Sequence, residues 1–164
     1  MGRSLRARRV AALVASFLLI TTACSKSSTS ATKSYDVFVQ KFRFNGMPAT
    51  IPSGDVQINF SNKESFPLVH EMILLALPSG KKAADIIESG KVAGCAGGEA
   101  CENQYLHFGE IPDVSTGATR SQVFSLPPGN YFLACWQQGT QQNPDADTGP
   151  THLAKGMDFL FTVT

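Results

Sequence analysis

Histidine and long apolar runs are both scarce in this chain, and each scarcity removes a class of function. Only three His and one Trp occur in 164 residues. Of the three, His107 in "QYLHFGE" matches no motif, and His70 and His152 alone fall where a site could form, which leaves little for zinc chemistry. No Ser or Cys nucleophile comes with a recognisable base motif. The Gly-rich "GCAGGEAC" lacks the Lys-Ser/Thr pair of a phosphate-cradling loop. An enzyme is therefore not expected. The longest apolar run, Val10 to Ile20, falls well short of the ~20 residues that cross a bilayer. There is no internal repeat.

The scarcity of basic charge appears once the N-terminus is set aside. Arg3, Arg6, Arg8 and Arg9 precede the apolar run, and "TTAC" closes it at Cys24. This resembles the leader of bacterial lipoproteins, in which a small residue precedes the Cys that takes the lipid. The resemblance implies a signal peptide over residues 1–23, lipidation at Cys24, and a location on the extracytoplasmic face of the cell membrane. The flanks of Arg8-Arg9 match twin-arginine export poorly. The leader would remove four of the 14 Lys and Arg and none of the 13 Asp and Glu, leaving a formal balance of −3. A weakly acidic chain without a basic cluster is no nucleic-acid binder, and contact with the bilayer would come through the lipid alone. "CSKSSTSATKS", residues 24–34, is polar and aperiodic, as a flexible tether is.

Residues 35–164 suffice for one domain with one core. Short alternating strands dominate them. Tyr35, Val37 and Val39 fall on one face, Val56, Ile58 and Phe60 on another, and Phe159, Phe161 and Val163 on a third near the C-terminus. "LVHEMILLAL" is apolar on both faces, which predicts a central strand covered on both sides. "SQVFSL" and "NYFLACW" flank the turn signal Pro127-Pro128-Gly129. "SGKKAADIIESGKV" is the exception, with Ala83, Ile86 and Ile87 at helical spacing, Ser79 as a cap and Gly90 as a stop. The pattern predicts an all-β sandwich with a short helical insertion on a crossover.

Four Cys in an exported chain suggest two disulfides, but another partition fits better. With Cys24 lipidated, Cys95 and Cys101 sit close enough in the Gly-rich loop to pair, which leaves Cys135 unpaired in a strand beside Tyr131 and Leu133. Pairing of Cys135 with Cys95 or Cys101 stays open. A lone thiol in an oxidising compartment is either buried and inert or protected, and a metal protects it. His70 shares a strand face with Met72 and Leu74, and His152 precedes Met157 by five positions. Taken singly, His70 reads as a core histidine, His152 as a loop residue and Met157 as packing. Taken together, two imidazoles, a thiolate and a thioether make the donor set of a type 1 copper site.

At these residues the chain resembles the cupredoxins, the plastocyanin-like family. "NKESFPLVHEMILL" is similar to the segment carrying the family's first His ligand, "PPGNYFLAC" to its Pro-Gly-x-Tyr strand ending in the copper Cys, and "HLAKGMDFLFTV" to its His-x-x-x-Gly-Met ending. The resemblance implies a Greek-key β-sandwich, copper held by His70, Cys135, His152 and Met157, and one-electron transfer with a redox partner, His152 reaching the surface as the electron exit. One departure stands out: 16 residues separate Cys135 from His152, where the family has only a few. Longer loops cost little extra closure entropy. This loop is a candidate docking surface. A lipid-anchored electron carrier therefore competes with a copper-delivery lipoprotein, for which Met47 and Met72 form no Met-rich stretch, and with a metal-free binding module at the cell surface.

Overall fold

The computed structural model describes residues 32–78, 106–140, 142–143 and 149–164. The leader, Cys24, the helical insertion, and Cys95 and Cys101 with their expected disulfide lie outside the described residues.

Nine strands occur among these residues: β1 (Lys33–Val39), β2 (Phe44–Asn45), β3 (Thr50–Ile51), β4 (Gly54–Asn62), β5 (Val69–Ala76), β6 (Leu106–Ser115), β7 (Thr119–Leu126), β8 (Gly129–Ala134) and β9 (Asp158–Val163). They form two mixed sheets, in the orders β2-β1-β4-β7 and β3-β9-β8-β5-β6. Parallel pairs, β1 with β4 and β3 with β9, sit among antiparallel ones. This is the β-sandwich that the alternation predicts, with the Greek-key order that the resemblance implies. Every second side chain of a strand points to one face, so Val37 and Val39, Val56, Ile58 and Phe60, and Phe124 and Leu126 line the inner face of the first sheet. Met72, Leu74, Tyr131, Leu133, Phe161 and Val163 meet them from the second. Truncating a fully buried ring such as Phe60 to alanine costs roughly 3–5 kcal/mol, lost transfer energy and residual cavity together.

β5 is central in its sheet, between β8 and β6, and buried on both faces as its continuous apolar run predicts. Its other face, Ile73 and Leu75, joins Phe132, Ala134, Trp136 and Leu153 in a second apolar cluster. The alternation along β8 thus assigns Tyr131, Leu133 and Cys135 to the main core and the residues between them to the second.

β6 has no strand signature in the sequence, for two reasons. Gly109 and Pro112 interrupt it, and it pairs irregularly with β5, with register shifts at His70/Met72 and at Leu74/Leu75. Pro112 is tolerated because β6 is an edge strand. Gly109 has φ +154, and a Cβ there would stand 2.9 Å from the Phe124 ring, so the bulged strand needs a residue without one. Two boundaries also move. β1 starts at Lys33, inside the stretch read as tether, because its parallel ladder with β4 continues to Lys33 opposite Val56. Cys135 lies just past the end of β8 rather than in mid-strand.

Candidate metal centre

Three chain segments converge at one end of the sandwich. His70 is the second residue of β5, and Cys135 follows β8, the antiparallel neighbour of β5. Ladder pairs run from Ala76 opposite Tyr131 to Ile73 opposite Ala134, which carries both side chains to the same end. Beyond the ladder, the Trp136 N–H donates to Glu71 Oε1 at 2.8 Å and clamps the two strands.

His152 arrives from the long loop, whose two ends are stitched together. The His152 N–H donates to Gln137 O at 2.9 Å and the Leu153 N–H to Cys135 O at 2.7 Å. His152 is thereby fixed beside Cys135 whatever the length between them. Further anchors hold the loop: Leu68 bridges Thr140, Thr140 and Asn143 bond each other, Gln137 Nε2 donates to Asp113 at 2.6 Å, and Gln138 Nε2 donates to Gly149 O. Residues 141 and 144–148 lie outside the described residues.

A single 3-10 turn, Leu153–Lys155, follows His152. Gly156 ends it at φ +94 with its N–H on Leu153 O, a left-handed conformation that residues with a Cβ adopt only at a cost of about 1–2 kcal/mol. The reversal returns the Met157 N–H to His152 O at 3.0 Å and buries the Met157 side chain in the core cluster that contains Cys135.

The donor atoms face one another. Cys135 Sγ lies 3.5 Å from His152 Nδ1 and 3.8 Å from His70 Nδ1, and the three donors all fall within 4.8 Å. All three side chains are fully buried. Nε2 of each imidazole has no hydrogen-bond partner, an arrangement that costs roughly 1–3 kcal/mol per buried group. Burial, aided by the Lys155 ammonium, lowers His70 to about 4; burial, then His70 and Lys155, lower His152 to about 3. Burial foremost, then the Glu71 carboxylate, pushes the Cys135 thiol well above its usual range, against hydrogen bonds from the backbone at Glu71 and Gln137. At neutral pH both imidazoles are uncharged and present lone pairs, which is the state a metal needs. A cation among the three donors would also offset the cost of a buried thiolate. The residues present therefore fit a soft or borderline metal ion, and two imidazoles with a sulfur suit copper.

One expectation is corrected. His152 does not reach the surface; it is 0 % exposed, because Phe42 covers it. The Phe42 ring stands edge-on to both imidazoles, with centroids 5.0 Å from His152 and 5.8 Å from His70. Phe42 is half-buried, its N–H donates to Glu64 Oε1 at 2.6 Å, and Lys155 Nζ lies 4.8 Å from its ring centroid. Sequence reasoning missed Phe42 and Glu71. The available signal for Phe42 was an aromatic residue inside the polar run "QKFR".

No protein-family model matches the sequence, and no curated protein does. Solved structures do. An auracyanin from Roseiflexus castenholzii aligns over 82% of this chain and 99% of its own at 19% identity, TM-score 0.56. Auracyanin A from Chloroflexus aurantiacus, described as a "blue" copper protein, aligns over 80% and 98% at 21% identity, TM-score 0.53. An azurin from Methylomonas sp. strain J aligns over 82% and 99% at 17% identity, TM-score 0.52. At these identities the likeness carries the fold.

Proposed function

We propose that this chain, whose fold is that of the cupredoxins, binds one type 1 copper ion and carries single electrons outside the cytoplasmic membrane, as a carrier rather than an enzyme. His70 Nδ1, His152 Nδ1 and Cys135 Sγ would hold the ion, with the Met157 thioether as a weak fourth donor. The observation that carries the reading is the convergence of these three buried donor atoms within 4.8 Å of one another. The description of auracyanin A as a blue copper protein supports it.

Bound there, copper would supply a one-electron couple between Cu(I) and Cu(II). The chain supplies the rest. β5 and β8 fix His70 and Cys135, and the bonds of His152 and Leu153 to Gln137 and Cys135 fix the third donor, so little movement accompanies a change of charge. A small rearrangement means a small barrier to electron transfer. The apolar shell and the Phe42 ring exclude water, which suits electron transfer and leaves no open position for a substrate. Lipid at Cys24 would tether the domain to the outer face of the membrane; among the described residues no helix is long and apolar enough to cross one.

The test is a visible spectrum recorded during Cu(II) titration, beside a Cys135→Ser variant. An intense thiolate-to-copper band saturating at one equivalent, absent from the variant, is expected. A colourless protein would leave the metal-free binding module as the better reading.

A further inference from the structure

Phe42 is held in place at a conformational cost, and the cost points to a use. Gln40 N–H donates to Arg43 O at 3.1 Å, which makes Lys41 and Phe42 the two-residue loop of the β1–β2 hairpin. Both have positive φ, 55° and 52°. Such loops favour Asn-Gly, because residues with a full side chain are sterically disfavoured in the left-handed region. A Lys-Phe pair gives up an easy turn and in return sets an aromatic ring against both imidazoles.

What surrounds that ring is basic. Lys41 adjoins it, Lys155 lies over it, and Arg43 follows it, with guanidinium atoms 3.8 and 3.9 Å from the Cβ position of Gly156. Lys63 reaches the same end, its N–H on Val39 O and its Nζ 3.6 Å from the Phe38 ring centroid. Two acids offset part of this charge: Glu64 accepts the Phe42 N–H, and Asp158 is half-buried and interacts with Arg43. Phe66, two residues beyond Glu64, is 66% exposed. A basic rim stands out on a mature chain expected to carry net negative charge.

Resting on the copper reading above, we infer that the Lys41–Phe42 turn is the face at which the chain meets an acidic redox partner. Phe42 takes the contact position that an exposed imidazole would otherwise have, and Lys41, Arg43, Lys63 and Lys155 supply the complementary charge. One electron would cross between the partner's centre and the copper through the edge of this ring, one side oxidised as the other is reduced. Charge of this kind acts mainly on the rate of encounter and on its salt dependence.

The experiment has two arms. In the first, hexacyanochromate(III), a paramagnetic trianion, is added to the metal-free protein and amide line broadening is mapped by NMR. Broadening centred on residues 41–43 and 155–156, and lost in the Lys41→Glu/Lys155→Glu variant, is expected; broadening centred elsewhere, or unchanged in the variant, overturns the inference. This arm does not depend on copper. In the second, the Cu(I) protein is oxidised by ferricyanide in stopped flow. The charge-reversed variant should react about tenfold more slowly at low salt, and the gap should close at high salt. An unchanged rate with the copper band intact overturns the inference and spares the copper reading, whereas loss of the band with docking intact does the reverse.

Discussion

The imidazoles of His70 and His152 lie with ring centroids 4.5 Å apart, tilted by 54°, and Cys135 Sγ faces Nδ1 of both. Two strands and a stitched loop bring these rings together, and neither has a partner for its second nitrogen. Burying both rings uncharged is therefore costly, and acid should reveal it.

Unfolded, each imidazole protonates near 6.5; folded, His70 waits until about 4 and His152 until about 3. Between those values the unfolded chain binds more protons, so the stability of the metal-free protein is complete above pH 6.5 and falls as pH drops toward 3. At pH 5 the pair should have cost about 4 kcal/mol relative to pH 7. Urea midpoints at the two pH values measure this, and equal midpoints would mean the imidazoles are not shielded. Copper held at Nδ1 of each ring would compete with the proton for that ring's lone pair, so the loaded protein should lose less.

Met157 packs in the core cluster that contains Cys135 and is the proposed weak fourth donor. Replacing it with leucine conserves volume, so the metal-free protein should lose less than about 1.5 kcal/mol. If the thioether touches copper, its loss disfavours Cu(II) more than Cu(I). The reduction potential of Met157→Leu should rise with the thiolate band retained. A potential equal to that of the parent protein would confine Met157 to packing.

The convergence of His70, Cys135 and His152 was legible in part, from strand signals beside the first two. His70 falls in a continuous apolar run, Cys135 in an alternating strand and Met157 just ahead of another, while His152 reads as a loop residue; donor chemistry and the resemblance to the cupredoxins, not periodicity, joined the four. Illegible were the features made by tertiary contact. β6 hides behind Gly109 and Pro112 because an edge strand tolerates breakers that a central one does not. The burial of His152 depends on Phe42, and a positive φ at a Lys-Phe pair contradicts local preference. The long loop read only as a departure from the family's spacing, since hydrogen bonds between its two ends leave no mark in composition.

Glu71 is another tertiary feature with a chemical consequence. Its carboxylate accepts the Trp136 N–H and raises the Cys135 thiol by its charge. Glu71→Gln keeps an acceptor for that N–H and removes the charge. The metal-free thiol should then titrate at lower pH, read from its ultraviolet thiolate absorbance. In the copper form the potential should rise, because a nearby negative charge favours the more positive ion. No change in either quantity would mean that solvent screens the carboxylate.

The hairpin turn gives the last prediction, because stability and cover pull in opposite directions there. Asn tolerates the left-handed region better than Lys, and the exposed Lys41 side chain gives up little packing, so Lys41→Asn should stabilise the metal-free protein by about 0.5–1 kcal/mol. Phe42→Gly relieves the backbone in the same way but strips the edge contacts with two imidazoles, worth about 0.5–1.5 kcal/mol beyond the apolar area that the half-buried ring covers, so it should come out destabilised. Thermal midpoints separate the two, and diethyl pyrocarbonate supplies a second reading. His70 and His152 should resist modification in the metal-free protein and in Lys41→Asn, yet react in Phe42→Gly at a rate nearer to that of the exposed His107. If Lys41→Asn destabilises, the turn is not strained. If His152 reacts as fast as His107 before any substitution, Phe42 is no cover, and the conformational cost of the turn has no use at this site.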